Sequence, residues 1–388
     1  MIRHLFLIIW NQKRRNIGLI LEIFLSFMVL FAVLTFVINK YNFYRQPLGF
    51  EYENIWAVRQ DFKGAKLPEI RANRELIRQR LKNFPEIESF TFSQGNIPYG
   101  SSTWRTTLKI DDQDINVDQF ALDEGFLQTL GVDMVEGRWF SKEDAAANYK
   151  PIVINKQLKE MAFGEEKAEG EFLNSWDENP MQVIGVIDNY KYKGEFVEPQ
   201  EGFFEYPDSN FYGGTILLKV RPNADAQFEE ELVEALNNVA SNWSFDIAYM
   251  DEMRKSRLRE TKIPMLVFGI ISVFLVFNVA LGLFGVLWYN INKRKQEIGI
   301  RRAMGASKNG IGWQFVGEVL VIATLSLALG TFFAIQFPLL NVFEVQFGVY
   351  LTAIIAGILL IYSLVIICSL YPSRQAATVQ PAVALHAE

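Results

Sequence analysis

Four long apolar stretches dominate the hydrophobic pattern of this 388-residue chain: Ile17–Asn39, Pro264–Asn290, Trp313–Phe337 and Val349–Tyr371. Each is long enough to cross about 30 Å of hydrocarbon at about 1.5 Å of helix per residue. Their ionisable carboxylates are Glu22 and Glu318 alone, and they hold no Lys or Arg. Helices of that length without a polar face are predicted to span a membrane. The first span follows a basic region. It is longer than a secretory signal core and has no convincing small-residue cleavage site before Tyr41, so a retained anchor is expected.

Between the first two spans the pattern changes, and residues 40–263 read as a mixed α/β domain of two subdomains. Strands are predicted at Ile55–Val58, Ile152–Ile154, Val183–Ile187, Thr215–Val220 and Phe245–Ala248, and helices at Glu69–Leu81 and Ala224–Ala240. The alternating runs Thr106–Ile110 and Ile115–Asp118 flank a polar turn and read as a hairpin. A charged helical stalk is expected over 250–263, with Pro264 kinking or restarting it at the membrane. Residues 1–16 carry Ile2, Leu5, Phe6, Ile9 and Trp10 at helical spacing, an amphipathic segment suited to the membrane surface. The expected fold is an α-helical membrane protein with four transmembrane helices and an extracytoplasmic α/β domain inserted between helices 1 and 2. Its boundaries are 17–39, 264–290, 313–337 and 349–371 for the spans, 291–312 for an inner loop, 338–348 for a short outer link and 372–388 for a tail.

Charge orients this layout. Residues 1–16 contain Arg3, Lys13, Arg14 and Arg15, and residues 291–312 contain Lys293, Arg294, Lys295, Arg301, Arg302 and Lys308, whereas 338–348 contain no Lys or Arg. Short basic flanks stay in the cytoplasm. Both termini and the 291–312 loop are therefore expected inside, with 40–263 outside, in a multi-pass protein of the cytoplasmic (inner) membrane in contact with lipid. The outer segment has 27 Lys and Arg against 39 Asp and Glu. That acidic balance argues against a nucleic-acid partner, which would want a basic face.

Chemistry is limited by what the outer segment lacks. It contains no His and no Cys: the two histidines are His4 and His386, and the one cysteine is Cys368 in the fourth span. That removes Ser-His-Asp and Cys-His catalysis and the usual zinc ligand sets. Asp112-x-Asp114-x-Asn116 begins like a calcium loop but has Val117 where Gly is needed and Asp123 where a bidentate Glu is expected. Gly305-Ala306-Ser307-Lys308-Asn309-Gly310 lacks the Lys-Ser/Thr pair of a phosphate-binding loop. No catalytic, metal or cofactor site is expected in this chain, and any ATP and Mg would sit on a partner. Glu22 and Glu318, being intramembrane, are candidates for interhelical hydrogen bonds or for reaching the interface. Ala353 and Gly357 form a small-x-x-x-small pair that permits close helix contact.

The inner loop carries more than topology requires. Asn292-Lys293-Arg294-Lys295-Gln296-Glu297-Ile298-Gly299-Ile300-Arg301-Arg302-Ala303-Met304-Gly305-Ala306-Ser307 reads as a helix with Glu early, Arg late and Gly at its end. This stretch resembles the coupling helix of MacB/FtsX-like (type VII) ABC transporter permeases, with Met304 where that family usually has Leu. The tail from Tyr371-Pro372 through Arg374 and Pro381 to Leu385 is similar to the family's ending, although His386 stands where Arg is common. Gly125-Phe126, Leu130-Gly131-Val132, Glu136-Gly137-Arg138 and Val186-Ile187-Asp188-Asn189-Tyr190 resemble its periplasmic core domain, and 264–388 its permease domain.

The resemblance implies a permease subunit, not itself an enzyme, that pairs with a second permease chain and with a cytoplasmic ABC ATPase. It would convert ATP hydrolysis into movement of the outer domain, with or without an extracytoplasmic accessory protein. The cargo would be a peptide, lipoprotein or drug-like molecule. Glu297, Gly299, Arg301, Arg302, Gly305 and Ser307 would form the docking segment, and Arg374 and Pro381 a tail contact. The competing functions are a membrane sensor with an outer ligand domain and an assembly scaffold without ATPase coupling.

Overall fold

The computed structural model describes residues 13–377 apart from 112, 148, 176–179 and 208–210. Its first helix is α1 (Lys13–Arg45). There follow β1 (Ile55–Asp61), α2 (Leu67–Leu81), β2 (Ile87–Gly95), β3 (Arg105–Ile110), β4 (Gln113–Leu122), α3 (Phe126–Leu130) and β5 (Met134–Gly137). After a 3-10 turn come β6 (Lys150–Asn155), α4 (Lys156–Phe163), β7 (Phe172–Ser175), β8 (Pro180–Ile187), β9 (Gly202–Glu205), β10 (Thr215–Val220), α5 (Ala226–Val239) and β11 (Ser244–Tyr249). The remaining helices are α6 (Met250–Lys293), α7 (Lys295–Ala303), α8 (Lys308–Ala334), the short α9 (Gln336–Leu339) and α10 (Phe347–Ala377). The amphipathic reading of residues 1–10 lies outside the described residues.

These elements form two units: a helical unit, of the described residues up to Asn42 and from Lys262 onward, and an inserted unit, Phe43–Thr261. In the inserted unit, β11-β1-β10-β2 make an open antiparallel sheet. Ile55, Trp56, Ala57 and Val58 are all buried, because both faces of β1 are covered. One face meets α2 and α5 through Ile70, Ile77, Leu81, Phe228, Leu232 and Leu236, each worth about 1.5–3 kcal/mol when fully buried. Asp225 starts α5 by accepting hydrogen bonds from the Gln227 and Phe228 amides.

The rest of the sheet closes on itself. Strand β4 pairs with β3, then β7, β8, β6 and β9 follow, and β9 returns to pair with β4 in parallel. Leu108, Val117, Ile152, Ile154, Val183 and Phe203 fill this ring, and closure pairs strands that would otherwise be edges. The predicted hairpin is β3–β4, with Leu108 opposite Ile115 and Asp111 at φ +49° in the turn.

The structure adds β2, α3, β5, α4, β7 and β9, which the hydrophobic pattern does not announce. Strands β7 and β9 have four residues each, too few to display alternation. In β2 the polar residues are themselves buried: Thr91 donates to Asp123 Oδ1 at 2.6 Å, and Arg78 to Asp123 Oδ2 at 2.9 Å.

Among the described residues, α1, α6, α8 and α10 contain the four segments long and apolar enough to cross a membrane. Pro264 does not restart a helix: it lies inside the single helix Met250–Lys293. One missing amide costs one backbone bond, and the ladder on either side carries the helix through. The fully buried Phe27 ring lies on two glycines. A Cβ on Gly330 of α8 would overlap that ring, and one on Gly357 of α10 would sit 3.1 Å from it. Gly357 thus serves close packing by receiving an aromatic ring from α1. At the α6 end, Arg294 Nη1 donates to Glu318 Oε1 of α8 at 2.8 Å, with side chains 18% and 10% exposed.

Two outcomes follow from this packing. Gly330→Val should destabilise the detergent-solubilised chain by about 1–3 kcal/mol through overpacking, and Phe27→Ala should recover part of the loss in the double variant, read as thermal midpoints. Glu318→Ala should cost about 1–3 kcal/mol by leaving the part-buried Arg294 charge without its partner, whereas Arg294→Met/Glu318→Leu should fall closer to wild type.

Candidate functional site

The candidate site is α7 with its two junctions. Helix α6 ends at Lys293, and Arg294 leaves helical geometry at φ −104°, ψ 14° before α7 begins. Glu297 lies in the first turn of α7 and Arg301 and Arg302 in its last, the arrangement that the helix dipole favours. Glu297 and Arg301 form an i,i+4 ion pair at 2.5 Å with both side chains about half exposed, so it adds little stability.

The helix stops for an identifiable reason. Ala306 N–H donates to Arg301 O at 2.9 Å and Gly305 N–H to Arg302 O at 3.1 Å, a Schellman closure. Gly305 takes φ +97°, and nothing lies within 4 Å of where its Cβ would be. Glycine is needed there for conformation. Gly299 is buried beside Ile298. Ser307 caps the next helix, its Oγ accepting from Gly310 N–H at 3.1 Å.

Three side-chain bonds hold the segment. Arg294 reaches Glu318, Arg301 Nη1 donates to Gln314 Oε1 at 2.9 Å, and Arg302 Nη1 donates to Ala306 O at 3.1 Å. Arg294, Glu297, Ile298, Arg301, Ile311, Gln314 and Phe315 enclose a volume of about 10 Å³, room for at most a water. On the open side of α7 stand Ile300 and Met304, 48% and 75% exposed, one turn apart on the same face. Neither was among the expected docking residues; the available signal was an apolar i,i+4 pair inside a charged loop.

The other expected residues lie elsewhere. Glu22 of α1 is half-buried, its Oε2 2.5 Å from where a Cβ on Gly282 of α6 would be, so it packs on a helix backbone. Arg374 falls in the last turns of α10 with its side chain undescribed, and Pro381 lies outside the described residues.

Residues 19–235 match the MacB-like periplasmic core domain, and residues 269–381 match the FtsX-like permease C-terminal family. The macrolide export ATP-binding/permease protein MacB of Bradyrhizobium diazoefficiens is 26% identical over 317 residues, covering 78% of this chain and 48% of that protein. An uncharacterized ABC transporter permease of Bacillus subtilis, YvrN, is 24% identical over 297 residues, covering 69% of this chain and 70% of its own. The chain spans about half the length of the MacB relatives, 48% in the first two. Among solved structures, the periplasmic region of MacB from Actinobacillus actinomycetemcomitans aligns over 53% of this chain and 92% of its own, at 15% identity and a TM-score of 0.38, a likeness that carries no weight here. With one family matching α1 and most of the inserted unit, and the other matching the spans beyond it, the chain belongs to the MacB/FtsX-like ABC transporter permeases.

Proposed function

We propose that this chain is the permease subunit of a transporter whose ATPase is a separate cytoplasmic protein docked on α7. In this reading, movement of α7 passes along α6 to the inserted unit, which lies outside the membrane. The observation that carries the proposal is the build of α7. It is capped at its C-terminal end, anchored to α8 through Arg301–Gln314 and flanked by Arg294–Glu318, and it leaves Ile300 and Met304 exposed. A loop serving topology alone needs the basic residues but none of that.

Helix α6 suits transmission because its 44 residues form one element, roughly 66 Å long at 1.5 Å per residue. A rigid element passes on a displacement that a loop would absorb. The six Lys and Arg of 291–312 support a cytoplasmic position for α7. Symmetric pairing with a second permease chain would give two α7 segments for two ATPase subunits. A peptide, lipoprotein or drug-like cargo is in keeping with the macrolide-export relatives and with an acidic inserted unit.

The test is co-purification from native cells. Wild type should bring down a Walker-motif ATPase, and Ile300→Asp/Met304→Asp should reduce its recovery at least about tenfold, a loss of about 1.4 kcal/mol or more. Glu297→Ala/Arg301→Ala should weaken recovery only about twofold, as expected of an exposed pair. Absence of any ATPase from a wild-type preparation that keeps its oligomeric state would sink the proposal.

A further inference from the structure

At the end of the helical bundle opposite α7, α1, α6 and α10 line a cavity of about 400 Å³ together with α9 and the link that follows it. Its volume is in the range of small-molecule sites, and all of its lining residues belong to the helical unit. The floor is aromatic and held in place by the core. Phe31 and Tyr350 are 2% and 1% exposed. Phe31 meets Phe337 edge-on with ring centres 5.5 Å apart, and the Tyr350 hydroxyl donates to Val342 O. On the rim Phe343 stands at φ +68°, a backbone region that a bulky residue rarely adopts, and its ring stacks on Phe337.

Helix α1 grades this cavity from apolar to polar. Two rows of residues four apart line it: Phe31, Thr35 and Asn39, and beside them Ala32, Phe36 and Lys40. Both rows begin apolar and end polar. Thr35 is 7% exposed, and its hydroxyl has no hydrogen-bond partner. The Lys40 ammonium lies 5.8 Å from the centre of the Phe36 ring. Tyr41 follows it, 56% exposed, a residue type that gathers at the membrane–water boundary. The rise from Phe31 to Lys40 is about 13.5 Å at about 1.5 Å per residue. That is close to half of the roughly 30 Å hydrocarbon layer, so the cavity is about as deep as one leaflet.

We propose that this cavity binds one acyl chain of an anionic phospholipid of the surrounding membrane, with the lipid phosphate beside Lys40 and Asn39. An amphiphile matches the grading of α1. The chain lies along the Phe31 and Phe36 rings, an ester oxygen accepts from the Thr35 hydroxyl, and the phosphate accepts from the ammonium and the Asn39 amide. Basic residues between spanning helices at the membrane boundary select anionic headgroups. A cationic or uncharged drug-like molecule would gain nothing from Lys40, and a free phosphate would gain nothing from the rings. The site does not rest on the proposed function; it requires only that these helices span a membrane.

The test titrates the delipidated, detergent-solubilised full chain with phosphatidylglycerol or phosphatidylcholine of the same acyl chains and counts bound lipids by native mass spectrometry. Wild type should bind its first phosphatidylglycerol about tenfold more tightly than its first phosphatidylcholine. Lys40→Gln should bring the two lipids within about twofold, and Lys40→Arg should keep the preference. Ala32→Trp fills the cavity beside Phe36 and should weaken first-site binding of both lipids about tenfold, with an unchanged thermal midpoint showing that the chain is folded. If Ala32→Trp does not fold, Val33→Trp takes its place with the same expectation. Glycerol 3-phosphate, the headgroup chemistry without chains, should not displace the bound lipid. Equal first-site affinities in wild type, a preference that survives Lys40→Gln, or wild-type binding in the folded tryptophan variant overturns the proposal. Displacement by glycerol 3-phosphate overturns it in favour of an anion site. Displacement by erythromycin or a diacylated lipopeptide at a lower concentration than phosphatidylglycerol itself overturns it in favour of a cargo site.

Discussion

A backbone N–H or C=O has no water to pair with inside hydrocarbon, and an unpaired one costs several kcal/mol. Everything in this chain that crosses a membrane is therefore drawn as helix, and irregular backbone falls at the junctions. That constraint makes α6 one unbroken element of 44 residues, even with Pro264 inside it. It also concentrates informative features where helices start and stop: the break at Arg294, the Gly305 closure and the Ser307 cap. At the Gly305 closure the last carbonyls of α7 are satisfied by backbone amides, and at the Ser307 cap a first-turn amide of α8 is satisfied by a side chain.

The two ends of α6 are held in different ways. At the α7 end a part-buried ion pair, Arg294–Glu318, joins the junction to α8. Such a pair adds little net stability over an apolar substitute, but it fixes one geometry because losing either partner is costly. At the other end Arg254 and Arg257 reach Glu195 and the Tyr99–Gly100 carbonyls, and Met250 is buried in the inserted unit's core. Within the helical unit α6 packs through Val279, Leu283 and Leu287. Phe27, seated on Gly330 and Gly357, ties α1 to the same bundle.

Much of this was legible beforehand, because length and the absence of charge identify a spanning helix without any tertiary knowledge. The helix closing at Gly305 was legible for a similar reason: Glu, Arg, Arg and Gly at those positions follow from dipole and capping chemistry alone. What stayed hidden depends on contacts between distant residues. The ring closure of β9 onto β4 joins Gly202 to Asp118, and no local pattern encodes that pairing. Thr91 and Asp123 look like surface residues until Arg78 is brought to them. Lys191 sits in a segment rich in charge, where burial of an ammonium has no periodic signature. Pro264 does not begin a new helix, because the loss of one backbone hydrogen bond is small beside those of the 44-residue helix around it.

An ATPase that acts on α7 should be captured by a photo-crosslinking residue in place of Met304, activated in intact cells. A second copy of the experiment places the crosslinker at Phe343, which is equally exposed at 74% in the link between α9 and α10. Mass spectrometry of the adducts should identify an ATP-binding ABC subunit captured from position 304 and absent from position 343. Capture of no ATPase at 304, or the same ATPase from both positions, would contradict the account.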